Sequence, residues 1–173
     1  MPLFPVSPAE LSDVVSLVNA AYRGDDAKAG WTHEADYLAG QRTDLAMLTK
    51  DLETPGARVL GWRDGPEAEL LGCVWLEPAE PDAWYLGMLT VRPDLQDQGL
   101  GRRILQAAED HAAQLGARRI RMTVVGVRDS LIAWYRRRGY APTGEREPFP
   151  YHDARFGEPL RDDLDFVVFE KPL

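Results

Sequence analysis

Cysteine is almost absent: Cys73 stands alone in 173 residues. One thiol closes no disulfide within the chain, which suits a reducing compartment, and a cytoplasmic protein is expected. Cys73 lies inside an apolar run, where a small buried hydrophobe is the ordinary role. Histidine is scarce too. His33, His111 and His152 are scattered, and no Cys/His spacing suits a metal, so no metal site is expected. No apolar run is long enough to span a bilayer, and no membrane partner is expected. Pro2, Pro5 and Pro8, with Glu10 and Asp13 close behind, interrupt the opening residues, so no secretory leader is expected there. Repeats, low-complexity stretches and long linkers are missing, which predicts one domain over residues 1–173. Net positive charge is also lacking. The chain carries −8, which argues against nucleic acid as a partner.

The charge that is present is uneven. Between Arg102 and Arg138, nine arginines against three acidic residues leave +6 there and −14 on the remainder. Two solvated helix faces would give this balance. So would a local field that draws an anionic ligand to an acidic protein.

Apolar periodicity supplies the elements. Leu3 to Val6 predicts a first strand. Ser7, Pro8 and Glu10 together signal a helix start, and Leu11, Val14, Val15, Val18 and Ala21 follow at helical spacing. The segment Thr32 to Tyr37 reads as a short helix or a loop. Thr43 or Asp44 caps a second helix bearing Leu45, Leu48 and Leu52. Three strands then follow with turn-like separators: Arg58 to Arg63, Leu70 to Leu76 (ended by Pro78 and Pro81) and Trp84 to Val91. Leu100 to Leu115 has helical period, Arg119 to Val125 is a strand, and Asp129 or Ser130 starts a helix closed by Gly139. Tyr140 to Thr143 and Phe166 to Glu170 are the last strands. A meander feeding a strand–helix–strand crossover predicts a mixed, mostly antiparallel α/β sheet of about six or seven strands with about four helices, the crossover pair being parallel.

The most informative segment runs from Val91 to Arg103. A strand, a glycine turn (Gly99, Gly101) and a helix start follow one another there. The first N–H groups of a helix lack internal partners and carry partial positive charge, so this is an anion site. Glycine lets a phosphate approach the backbone. A P-loop needs a lysine that this turn does not have. A dinucleotide fold needs the turn in its first strand–helix unit, whereas three meander strands come first here.

Gln96, Gly99 and Gly101 resemble the [QR]-x-x-G-x-[GA] signature of the GNAT superfamily of N-acetyltransferases. Val91-Arg92-Pro93 is similar to the V-x-P that leads into it. Leu131 to Tyr140 resembles the family's later helix, A-x-x-x-Y-x-x-x-G-[FY]. The specific likeness covers Leu70 to Tyr140, an acyl-CoA-binding core. Two departures stand out: Leu131 replaces the usual Ala, and Arg128 stands where the family often has Asn, leaving Asp129 or Ser130 to replace that contact.

The resemblance implies acetyl-CoA as co-substrate. Backbone N–H groups of Gln98, Gly99, Leu100, Gly101 and Arg102 would bind its pyrophosphate, with Gln96 and Asp97 also among the cofactor-binding residues. The pantetheine arm would lie beside Leu89, Thr90 and Val91, with Ser130 and Tyr135 across from them, where the third meander strand splays from the next. One of Arg102, Arg103 and Arg136 to Arg138 would meet the 3′-phosphate. Tyr135 aligns with the family's general acid; a ring one turn from Leu131 also suits a core position. Glu77 and Glu34 are the first candidates for the base, with His33, Asp82 and a water chain as alternatives. The acceptor is an amine of a small molecule or protein, expected to be cationic from the acidic surface. Trp31, Tyr37, Trp62, Trp75 and Trp84 are candidates to line its cleft. A homodimer stays open, as does a rival reading, a non-catalytic acyl-CoA-binding module.

Overall fold

Strand-forming residues concentrate between Arg58 and Val91, and they build the middle of the sheet. The structure, a computed structural model, describes residues 3–79 and 81–173; Pro2 lies outside them. The elements are β1 (Leu3–Pro5), α1 (Leu11–Tyr22), α2 (Gly24–Ala27), β2 (Leu38–Ala39), α3 (Leu45–Asp51), β3 (Arg58–Trp62), β4 (Gly72–Ala79) and β5 (Ala83–Val91). They continue with α4 (Leu100–Gln114), β6 (Arg119–Val125), α5 (Asp129–Arg136), β7 (Ala141–Pro148), β8 (Glu158–Pro159) and β9 (Asp165–Pro172). Seven strands form one sheet in the order β1-β3-β4-β5-β6-β9-β7, and β2 pairs with β8 apart from it. Every pairing is antiparallel except β5 with β6, the crossover pair.

Both faces of the sheet centre are covered, which is why β4 is a continuous buried run and not an alternating one. Val74 and Leu76 point to α4, against Ile104, Leu105 and Ala108. Cys73 and Trp75 point the other way, against Val14 and Val18 of α1 and Leu48 of α3. Asp44 caps α3, its side chain accepting from the Met47 N–H at 2.8 Å.

Several boundaries differ from the sequence reading. The Ser7 signals open a 3₁₀ turn, Pro8–Glu10, and α1 begins only at Leu11. Of the two readings of Thr32 to Tyr37, a short helix or a loop, the loop is the one observed. Pro78 does not end β4, because it pairs with Trp84 in a hairpin that runs on to Ala79. β7 extends to Pro148. It is an edge strand, exposed throughout, so no apolar alternation marked it, and prolines are tolerated at an edge. The two-residue strands β2 and β8 were too short for any pattern.

Two irregularities in β5 open the molecule. The pairing of Cys73 with Thr90 and of Trp75 with Gly87 sets two residues of β5, Met88 and Leu89, against Val74 alone on β4, a bulge with Met88 at φ 52°. β5 also pairs with β6 only at Ala83, Trp84 and Tyr85; beyond Tyr85 the two strands part. Among the described residues, no helix is long and apolar enough to cross a membrane.

Candidate active site

A cleft of about 380 Å³ fills the gap where β5 and β6 separate. Leu89, Thr90 and Val91 form one wall, and Leu131, Trp134 and Tyr135 of α5 form the other. The Arg92 N–H donates to Leu71 O, toward β4. Strand alternation therefore turns the Val91 backbone to the opposite edge, into the cleft. Its carbonyl accepts from Gln96 Nε2 at 3.2 Å.

The floor of the cleft is the glycine turn. Gly99 stands at the head of α4 at φ 80°, and Asp97 is also left-handed at φ 62°. A Cβ on Gly99 would meet open space, so glycine is needed there for its backbone angle and not for room. Arg103 N–H is the first to bond back into the helix, onto Gly99 O, which leaves the Leu100, Gly101 and Arg102 N–H groups to a ligand. Gln96, Asp97, Gly99, Gly101 and Arg102 line the cleft as expected. Three expected residues do not. Leu100 turns its side chain into the core, and Gln98 Nε2 donates to Asp94 O at 3.2 Å. Ser130 is exposed at the start of α5, outside the wall. Arg137 and Arg138 join Arg102 around the same end of the cleft; Arg103 stacks over Trp62 instead.

Tyr135 is only 7% exposed and lines the cleft. Its ring is packed edge-on against Trp134 and Tyr140, at 5.1 and 5.6 Å. Its hydroxyl takes no hydrogen bond among the described residues. Burial, with a smaller contribution from Tyr22, pushes the phenol well above its ordinary range, so it stays protonated near neutrality.

The roof comes from residues 30–34. Trp31 sits 6.5 Å from Trp134, and the Thr32 N–H donates to Gln96 Oε1 at 3.4 Å. A Cβ on Gly30 would lie 2.2 Å from that same oxygen, so a larger residue there would displace the Gln96 amide. Arg128 fastens it further. Its guanidinium donates to Thr32 Oγ1 at 2.7 Å and to Glu34 Oε2 at 3.3 Å. The arginine that replaces the family's asparagine thus ties the roof to the start of α5.

Glu34 has a different task from the expected one. Oε1 accepts from Arg23 Nε and Nη2, at 3.3 and 3.1 Å, and Oε2 accepts from Arg128. Burial pushes its pKa up, yet Arg128, Arg42 and Arg23 outweigh burial and hold the carboxyl below its ordinary value. A carboxylate with both oxygens occupied and a lowered pKa is a structural anion, not a base. Glu77 lies on β4 opposite Tyr85, outside the walls of both clefts.

A second cleft, also of about 380 Å³, opens beyond the Tyr85–Thr123 pair, whose hydroxyls stand 3.2 Å apart across the parting strands. Arg23, Glu34, Arg42, Arg121 and Glu147 bring charge to its wall, and Phe149, Phe156 and Phe166 bring apolar surface. Of the expected aromatic candidates, none lines this cleft. Trp62, Trp75 and Trp84 are core residues, and Trp31 belongs to the first cleft. Sequence reading also missed Tyr22, whose hydroxyl donates to Leu89 O at the bulge at 2.8 Å. Burial pushes this phenol up to about 12. Its only signal was an aromatic residue at the end of an amphipathic helix. Among the described residues, no group of His, Cys, Asp and Glu could hold a metal.

The comparisons agree with this geometry. An amino-acid acetyltransferase of Pseudomonas putida KT2440 is 32% identical over 108 residues, 62% of this chain and 23% of that protein. The chain therefore spans under a quarter of that relative's length. The structure of the ribosomal-protein-S18-alanine N-acetyltransferase from Escherichia coli superposes with a TM-score of 0.70 at 15% identity, over 98% of this chain and 92% of that one. A GNAT family acetyltransferase from Elizabethkingia anophelis, with acetyl-CoA bound, superposes at 0.63 and 16% identity, over 74% and 82% of the chains. At these identities the two structures speak for the fold. The model of the acetyltransferase (GNAT) family matches residues 14–140, from the middle of α1 through the glycine turn to the residue that follows Gly139. The chain belongs to the GNAT acetyltransferase family.

Proposed function

We propose that this protein transfers an acetyl group from acetyl-CoA to a primary amine by direct attack. The observation that carries the reading is a protonated, unpartnered phenol, Tyr135, facing a cleft whose floor is a free helix N-terminus. When bound, the thioester supplies an activated acyl carbon and a thiolate leaving group. Leu100, Gly101 and Arg102 offer N–H groups to its pyrophosphate, with the arginine side chains around the same end adding charge. Val91 offers the backbone edge of a strand to the pantetheine amides, and the bulge beside Leu89 aims main-chain dipoles at the carbonyl. The acceptor nitrogen approaches from the second cleft, past Tyr85 and Thr123. As the nitrogen–carbon bond forms and the carbon–sulfur bond breaks, Tyr135 donates its proton to sulfur, and the proton shed by the new amide nitrogen returns through water to the tyrosinate.

The ammonium proton must leave before attack. In this reading it departs through water, with Glu77, opposite Tyr85, as the carboxylate that receives it. Glu77→Ala should then remove the acidic limb of the pH–rate profile; an unaltered limb takes Glu77 out of the mechanism.

Incubation with acetyl-CoA and a panel of amines, read by free thiol release, tests the activity. Amine-dependent release is expected. Tight acetyl-CoA binding with no release from any amine would instead establish the acyl-CoA-binding module. The reading extends to a single domain in the cytoplasm that binds no nucleic acid, on the composition and charge given above.

A further inference from the structure

Three guanidiniums surround one carboxylate where the two clefts meet. Arg23 and Arg128 both pair with Glu34, and all three side chains are under a tenth exposed. Arg42 is the third. Its charge acts on Glu34, and its guanidinium lies 5.6 Å from the centroid of the Tyr22 ring. It is half-buried in the second cleft and takes no ion-pair partner among the described residues. The neighbouring charges do not neutralise it. Asp44 turns its oxygens to the Met47 N–H and the Gln41 amide. Arg121, across the cleft, is bound to Glu145 and Glu170, and exposed Glu147 acts on that same arginine. The uncompensated charge of this cleft is therefore positive and centred on Arg42, although the chain as a whole is acidic. A half-buried guanidinium without a counter-ion is a site for a carboxylate.

Position narrows the class of ligand. Arg42 stacks on Tyr22, and Tyr22 bonds the Leu89 carbonyl at the bulge, where the reacting carbon would lie. A carboxylate held by Arg42 is thus close to the attacking nitrogen. Beside these charges the cleft offers one apolar wall, made by Leu38, Phe149, Phe156 and Phe166. We infer that the acceptor is an α-amino acid with an apolar or aromatic side chain, its carboxylate on Arg42, its amine toward Tyr85 and Thr123, and its side chain among the phenylalanines. This assignment reverses the cationic acceptor expected from overall charge. It rests on the acetyltransferase reading above.

Two measurements test it together. The first is thiol release from acetyl-CoA with phenylalanine, with phenethylamine (the same amine without a carboxylate) and with spermidine. The second is calorimetric binding of N-acetylphenylalanine, which needs no turnover. Phenylalanine should be preferred in kcat/KM, and Arg42→Gln should raise its KM roughly 10- to 100-fold while leaving phenethylamine unchanged. Arg42→Gln should weaken binding of N-acetylphenylalanine by a similar factor. Because phenethylamine is a control within the same variant, a general folding defect would show as loss with both amines. Turnover of phenethylamine or spermidine equal to or above that of phenylalanine would overturn the inference and leave the transferase standing. Binding of N-acetylphenylalanine that depends on Arg42, without thiol release from any amine, would overturn the transferase and with it the acceptor assignment, leaving Arg42 as a carboxylate site only. No Arg42-dependent binding and no amino-acid turnover would overturn the inference.

Discussion

Tyr135→Phe should lower kcat about 100-fold while the KM for acetyl-CoA stays within about twofold. General acid catalysis by one positioned side chain contributes factors of roughly 10² to 10⁴. The substitution removes one oxygen from a ring held edge-on by Trp134 and Tyr140 and leaves that packing intact. Because the hydroxyl has no partner within the described chain, its loss strands no buried donor or acceptor. The effect should therefore appear in turnover and not in stability. Steady-state kinetics beside a urea titration separates the two. Equal kcat in the variant removes Tyr135 from the chemistry and returns it to the core. Burial keeps the phenol protonated far above neutrality, so the basic limb of the pH–rate profile near neutral pH belongs to another group.

The second large effect is on stability. Glu34→Gln leaves Arg23 and Arg128 charged and buried with no anion between them. Removing one partner of a buried ion pair typically costs about 3–5 kcal/mol. A loss of that size should appear as a lower urea midpoint at neutral pH. The sign of the pH dependence follows from the direction of the shift. The folded carboxyl titrates below its ordinary value of 4.5, so its contribution is complete above that pH. It is lost as the pH falls from there through the lower folded value. The native protein should lose stability on that acid side, and Glu34→Gln should lack this component. A midpoint unchanged by the substitution would show that the pair is no better than the water it displaced.

The core of the fold was legible because its signals are local. Gly99 and Gly101, the apolar period of α4 and the strand at Arg119 to Val125 each sit within about a dozen residues, and each stood where read. So did the parallel pairing of β5 with β6, which follows from the helical crossover that joins them. The site was half legible. Residues on the glycine turn inherit their place from the turn itself. Glu34, Arg23 and Arg128 do not, since their partnership spans segments as many as 94 residues apart that nothing in the local pattern joins. The same holds for Arg42, because whole-chain charge averages over the cleft that one unpaired guanidinium dominates. The bulge at Met88 was invisible for another reason: a register step changes which residues face each other without changing any residue.

The single thiol acquires a further meaning from its surroundings. Cys73 is fully buried between the sheet and α1, and burial pushes its thiol up to about 12. Neither steric access nor thiolate is available in the closed molecule. An alkylating reagent can therefore reach it only when α1 lifts from the sheet or the chain unfolds. Cys73 is a built-in clock for that opening, one site per chain, whose labelling rate reads the frequency of the event without any added probe.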